Sequence, residues 1–163
     1  MLNKTARGVL AAALLAAPAV PAFAETMVRE VQVTADMSAI QNTKAAEHWA
    51  HLSDDLQNAI MADLVGKTGE TGSKIVIDID EVELSNTLQE VTGTAESRLV
   101  GDVAVTNDVD NTKFDAYELT VTFEEAGPFL VAGTDLSALT TDSQEYYDAM
   151  VAAFADHVVR NLK

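Results

Sequence analysis

Residues Arg98–Glu124 read RLVGDVAVTNDVDNTKFDAYELTVTFE, and the alternation in this stretch decides the fold. In the first arm Leu99, Gly101, Val103 and Val105 share one parity. In the second, Tyr117, Leu119, Val121 and Phe123 alternate with Glu118, Thr120, Thr122 and Glu124. Successive side chains of a strand point to opposite faces, so each arm has one apolar and one polar side. Between them, Asn107-Asp108-Val109-Asp110-Asn111 is rich in side chains that bond their own backbone, which is turn chemistry. The stretch predicts an antiparallel hairpin with one buried face.

Upstream, Lys74 to Leu84 is a further strand with Ile75, Ile77 and Ile79 on one side and Asp78 and Asp80 on the other. Its phase then slips by one residue, because Val82 and Leu84 are apolar while Glu81 and Glu83 are polar. Such a slip predicts a bulge near Asp80–Glu81. Before it, Ala45, Trp49, Leu52, Leu56, Ile60 and Leu64 recur every three or four residues, predicting one amphipathic helix over about Asn42 to Val65. Asn42, or Ser38 with Gln41, offers the cap. Gly66 and Gly69 end the helix. Val31 to Met37 alternates as the first strand.

Downstream, Gly127 and Pro128 break the last strand, and Phe129 to Ala132 reads as a short edge piece. Thr141 with Gln144 is expected to open a final helix with the stripe Tyr147, Met150, Val151, Phe154, Val158 and Leu162. The order is therefore strand, helix, three strands, helix. Every strand has one polar face and each helix one apolar stripe. This predicts an α+β two-layer sandwich: a mostly antiparallel sheet of about four strands with two helices on one face. The first strand has enough chain after it to run parallel to a neighbour.

The chain begins with Lys4 and Arg7, an uncharged run from Gly8, two prolines at 18 and 21, and Ala22-Phe23-Ala24. This is the pattern of a secretory signal peptide, with cleavage expected after Ala24 and residues 25–163 forming one domain. The expected location is periplasmic, with no transmembrane segment in the exported form. There is no cysteine, which removes thiol chemistry, Cys-bound zinc and lipid attachment at a processed Cys. Loss of Lys4 and Arg7 takes the net charge from −16 to −18. That charge opposes nucleic acid and anionic lipid, and favours basic partners.

The helix with Trp49, Leu52, Leu56 and Ile60, leading into Ile75-Val76-Ile77-Asp78-Ile79-Asp80-Glu81-Val82, resembles small periplasmic proteins of Gram-negative bacteria with no assigned activity. The element order is also similar to TolB N-terminal-like domains and to the curli-secretion lipoprotein. The resemblance implies an envelope-associated binding or assembly role. It rests on no signature residues, and this chain lacks both the propeller of the first and the lipidated cysteine of the second.

Two groups of side chains are candidates for chemistry. Asp78, Asp80, Asp102, Glu118 and Glu124 are expected on the open polar face of the sheet. They read as a docking surface for a basic or envelope partner, or as a solvated face that discourages aggregation. Catalysis by paired carboxylates needs a defined separation and a pocket, which a flat face does not supply. His48, His51 and Asp55 are spaced i, i+3 and i+7 on the expected helix, where they could meet one divalent ion. Lys44 on the same stripe would repel that ion, and the competing reading is solvated side chains. Asp108, Asp110 and Asn111 fail the calcium-loop pattern because Thr112 and Lys113 follow. His157 borders the last apolar stripe. No nucleophile elbow, zinc-protease pair, phosphate loop or dinucleotide fingerprint occurs. The expectation is a non-catalytic binding or envelope-assembly module without cofactor. The alternative is a small carboxylate-based hydrolase or metal-binding protein.

Overall fold

The structure is a computed structural model, and it describes residues 26–36, 46–47, 49–83 and 97–162. The leader, the expected caps at Ser38 and Asn42, and His48 lie outside the described residues. Four strands form one sheet in the order β1 (Val28–Ala35), β2 (Ser73–Glu83), β3 (Arg98–Thr106) and β4 (Asp115–Thr122). The first pair is parallel and the other two are antiparallel. The β3–β4 hairpin forms as its alternation requires, with Leu99 opposite Val121 and Val103 opposite Tyr117.

The slip in β2 is a real irregularity. The register with β3 shifts between Ile79 and Glu81. Asp80 and Glu81 are both exposed, while Ile79 is buried and Val82 packs against the core. An extra residue on one strand thus lets apolar residues on both sides of it reach the same interior.

Helices α1 (Leu52–Asp63) and α3 (Gln144–Arg160) pack against each other. Together with the inner sheet face they enclose one hydrophobic cluster. Leu52, Leu56 and Ile60 of α1 are buried, as are Met150, Phe154 and Val158 of α3. Each large apolar side chain withdrawn from water contributes about 1.5–3 kcal/mol. Ala149, Ala153 and Ala155 are buried on α3, and their small volume lets its backbone approach its neighbours. Trp49 is fully buried; its indole N–H donates to the Thr141 carbonyl at 3.4 Å, and its ring meets that of Tyr147 edge-on at 5.2 Å. Leu64 caps α1, its amide bonding the Ile60 carbonyl, and two residues on Gly66 takes φ +81°, the left-handed geometry that turns the chain away.

Three local expectations are corrected. The single helix from Asn42 is interrupted: Ala50 and His51 form a turn, and α1 starts at Leu52 with His51 as its N-cap. The last helix is capped by Ser143, not Thr141; the Ser143 hydroxyl accepts from the Tyr146 amide. Beyond Thr122 the chain leaves the sheet. Thr122 and Glu125 form a reciprocal capping box, which turns Phe123–Ala126 into the short helix α2. Pro128 then sits in a 3-10 turn over Gly127–Phe129, and residues 129–132 have no strand pairing.

Candidate functional site: an acidic row on the open sheet face

The helices cover one face of the sheet, so alternation leaves the other face to solvent. Strand register decides which polar residues become neighbours there. Thr34 lies opposite Asp78, Asp78 opposite Asp102, and Asp102 opposite Glu118. The three carboxylates therefore form one row across β2, β3 and β4, and all three are exposed. Directly opposed side chains have Cβ atoms about 4.5–5.5 Å apart, and like charges in that position destabilise a sheet. The Thr34 hydroxyl donates to Asp78 Oδ1 at 2.8 Å, which adds a polar contact without adding positive charge.

Cations are placed elsewhere. Lys74 pairs with Glu30, Arg29 with Asp108, and Arg98 with Glu81 through Nε and Nη2 at 3.0 and 2.8 Å. Among the described residues, none of these pairs reaches Asp78, Asp102 or Glu118. One register step from the acids lies a row without charge: Gln32, Val76, Ala104 and Ala116. Phe114 is extended (φ −91°, ψ 134°), two residues before Ala116, and 65% exposed. It lies on the same side of the chain but one step beyond Ala116, outside this strip and farther from the acids.

Of the five expected acidic residues, the structure brings Asp78, Asp102 and Glu118 together. Asp80 stands beside them in the bulge. Glu124 does not join them: it belongs to α2, off the sheet, because the capping box overrides the alternation that placed it there. Glu124 instead borders a groove of about 400 Å³ lined also by Phe123, Leu130, Val131 and Leu136. A smaller cavity of about 230 Å³ lies where β1, β2 and the 107–113 turn meet, with Ser73, Asn107 and Lys113 on its walls. Neither space gathers two of the expected carboxylates.

Of the expected metal set, His48 lies outside the described residues, so only His51 and Asp55 can be placed. His51 is exposed at the N-cap position of α1, and its carbonyl accepts from the Asp55 amide at 2.9 Å, one turn on. Asp55 Oδ2 accepts a 2.5 Å hydrogen bond from the Tyr147 hydroxyl. Burial, then this bond to Asp55, holds the Tyr147 phenol far above its ordinary value. Asp55 thus ties α1 to α3. No group of three or more His, Asp or Glu among the described residues could hold a metal ion.

Sequence reasoning missed the uncharged strip and the place of Thr34 in the acidic row. Both depend on register between strands distant in sequence, and the only local sign is the small size of Ala104 and Ala116.

No protein-family model and no curated protein matches the chain. Solved structures similar in outline include a minor lipoprotein from Acinetobacter baumannii (11% identity, TM-score 0.39, covering 81% of this chain and 90% of that one). Another is a PelC dodecamer from Paraburkholderia phytofirmans (9%, 0.37, 80% and 86%). A third is a DUF330 protein from Xanthomonas campestris (8%, 0.42, 86% and 89%). At these identities and TM-scores the likenesses carry no argument about function. No helix among the described residues is long and apolar enough to cross a membrane.

Proposed function

We propose that this chain is a non-catalytic docking module of the bacterial cell envelope whose open sheet face meets a basic partner protein. The observation that carries this reading is the row Asp78–Asp102–Glu118, three like charges opposed across three strands with no cation of the described residues paired to them. Such a row lowers the stability of the sheet, and a cationic partner relieves the repulsion as it binds. The leader pattern supports the envelope location, and the net charge of −16 supports a basic partner.

Affinity capture from an envelope extract tests the reading, with wild type compared against a variant carrying Asp78→Asn, Asp102→Asn and Glu118→Gln. The expected result is a partner retained by wild type and lost by the variant. Recovery of the same proteins by both forms excludes this face.

A further inference from the structure

The open face has two tones, and their direction restricts what fits. The acidic row and the uncharged row both run across the strands, one register step apart, which is about 6.8 Å along a strand. An elongated partner that satisfies both must lie across the strands and carry a charged stripe beside an apolar one. Asp78, Asp102 and Glu118 sit on consecutive strands. Their backbone spacing is therefore about 4.8 Å per step, or about 9.6 Å in all.

An α-helix advances about 4.5 Å over three residues and about 10.5 Å over seven. Basic residues at i, i+3 and i+7 therefore keep pace with the row from end to end. An extended segment repeats on one side every 6.8 Å or so and overshoots the third carboxylate by about 4 Å. On the neighbouring strip, Ala104 and Ala116 leave room for a helix to approach beside Val76 on β2.

We infer that the face receives an amphipathic helix of the basic partner, lying across β2, β3 and β4. Its Lys or Arg stripe sits on Asp78, Asp102 and Glu118, and its apolar stripe on Val76, Ala104 and Ala116. This inference rests on the docking reading above and adds the shape and orientation of the occupant.

Titration of the purified protein with three labelled synthetic peptides tests it. The first carries Lys at i, i+3 and i+7 beside a Leu stripe, the second scrambles the same composition, and the third is oligolysine. The expected result is roughly tenfold tighter binding of the first peptide than of the other two, with helicity gained on binding. Asp102→Asn and Ala104→Glu should each weaken that binding about fivefold or more, as loss of a central contact does. Asp148→Asn on the outer side of α3 should leave it unchanged. Unaltered far-UV circular dichroism in the variants separates a lost contact from a lost fold.

If all three peptides bind alike and Asp102→Asn weakens each equally, the helix is overturned while the docking reading stands. If none binds, or if Asp102→Asn changes nothing, both fall. Self-association that sedimentation detects and Ala104→Glu abolishes would make the occupant a second copy, which also overturns the inference.

Discussion

Replacing Asp102 by Asn should make the protein more stable, and the gain should fade with salt. Asp102 stands at the centre of the acidic row, between Asp78 and Glu118. Two unit charges about 5 Å apart at the dielectric constant of water repel by about 0.8 kcal/mol, so Asp102 carries about 1.7 kcal/mol from its two neighbours. With a Debye length of about 8 Å at physiological ionic strength, screening reduces this to about 0.9 kcal/mol; at 1 M salt, where the length is about 3 Å, about 0.3 kcal/mol remains. Favourable cross-strand pairs contribute some 0.2–1 kcal/mol each, so a repulsion of this size is on the scale of cross-strand interactions. Asn preserves the size of the side chain, so packing changes little.

Urea unfolding at low, physiological and 1 M salt reads the effect, with Glu70→Gln in the exposed 66–72 turn as a control for net charge alone. Asp78→Asn combined with Asp102→Asn should stabilise by less than the sum of the two, because both remove the same repulsion. A variant no more stable than wild type at low salt, a gain matched by Glu70→Gln, or a gain indifferent to salt would rule out repulsion within the row. So would strict additivity of the pair.

Gly72→Ala should cost about 1–3 kcal/mol or more in urea unfolding, because an added Cβ would lie 2.6–2.7 Å from backbone atoms of Met27, Val28 and Arg29. Gly127→Ala, whose Cβ would meet nothing within 4 Å, should stay within about 0.5 kcal/mol of wild type. Tyr147→Phe removes a hydrogen bond to a carboxylate and should cost about 1.5–3 kcal/mol near neutral pH. The raised folded-state value of Tyr147 means that the unfolded chain ionises first; wild-type stability is therefore intact below about pH 10 and falls above it. Denaturation curves from pH 8 to 11 should show a shallower fall in Tyr147→Phe, and equal slopes would exclude the assignment. Thr122→Ala breaks the capping box of α2 and should lower stability by about 1 kcal/mol, read from the urea midpoint.

The elements that the sequence made legible are those whose partners are close along the chain. Leu99 to Val121 forms a hairpin because alternation on both arms and the Asx turn between them agree; Asn107 Oδ1 does accept from the amides of Val109 and Asp110. The first helix was harder to bound. Trp49 and Leu52 are both buried, so a three-residue apolar step spans the turn at Ala50–His51 as readily as it would a continuous helix. Phe123 fits the parity of β4 as well as it fits α2, and only the Thr122-x-x-Glu125 spacing decides between them. The candidate site was legible as a set of acids but not as a row, since the composition of a face follows from parity while adjacency needs three registers at once.

Those registers are fixed by the bulge, and this links the acidic row to the core beneath it. Upstream of the extra residue, Ile75, Ile77 and Ile79 face the helices and Asp78 faces out opposite Asp102. Downstream, Val82 regains the core opposite Leu99, while Glu81 turns out and takes Arg98 as its partner. Gly101 sits opposite Ile79 where the strand bends, and a Cβ there would lie 2.8 Å from the Asp78 carbonyl oxygen and 2.9 Å from Ile79 Cδ1. A larger residue at 101 would push β2 and β3 apart at the register step that aligns Asp78 with Asp102. Gly101 and the bulge thus serve burial on one face and acid alignment on the other. Because Arg98 neutralises the acid beyond the bulge but none of the three in the row, the repulsion is concentrated on the part of the face bordered by the apolar strip. A partner able to relieve that repulsion must reach the strip as well, and this is why charge and apolar contact are expected to contribute to the same binding event.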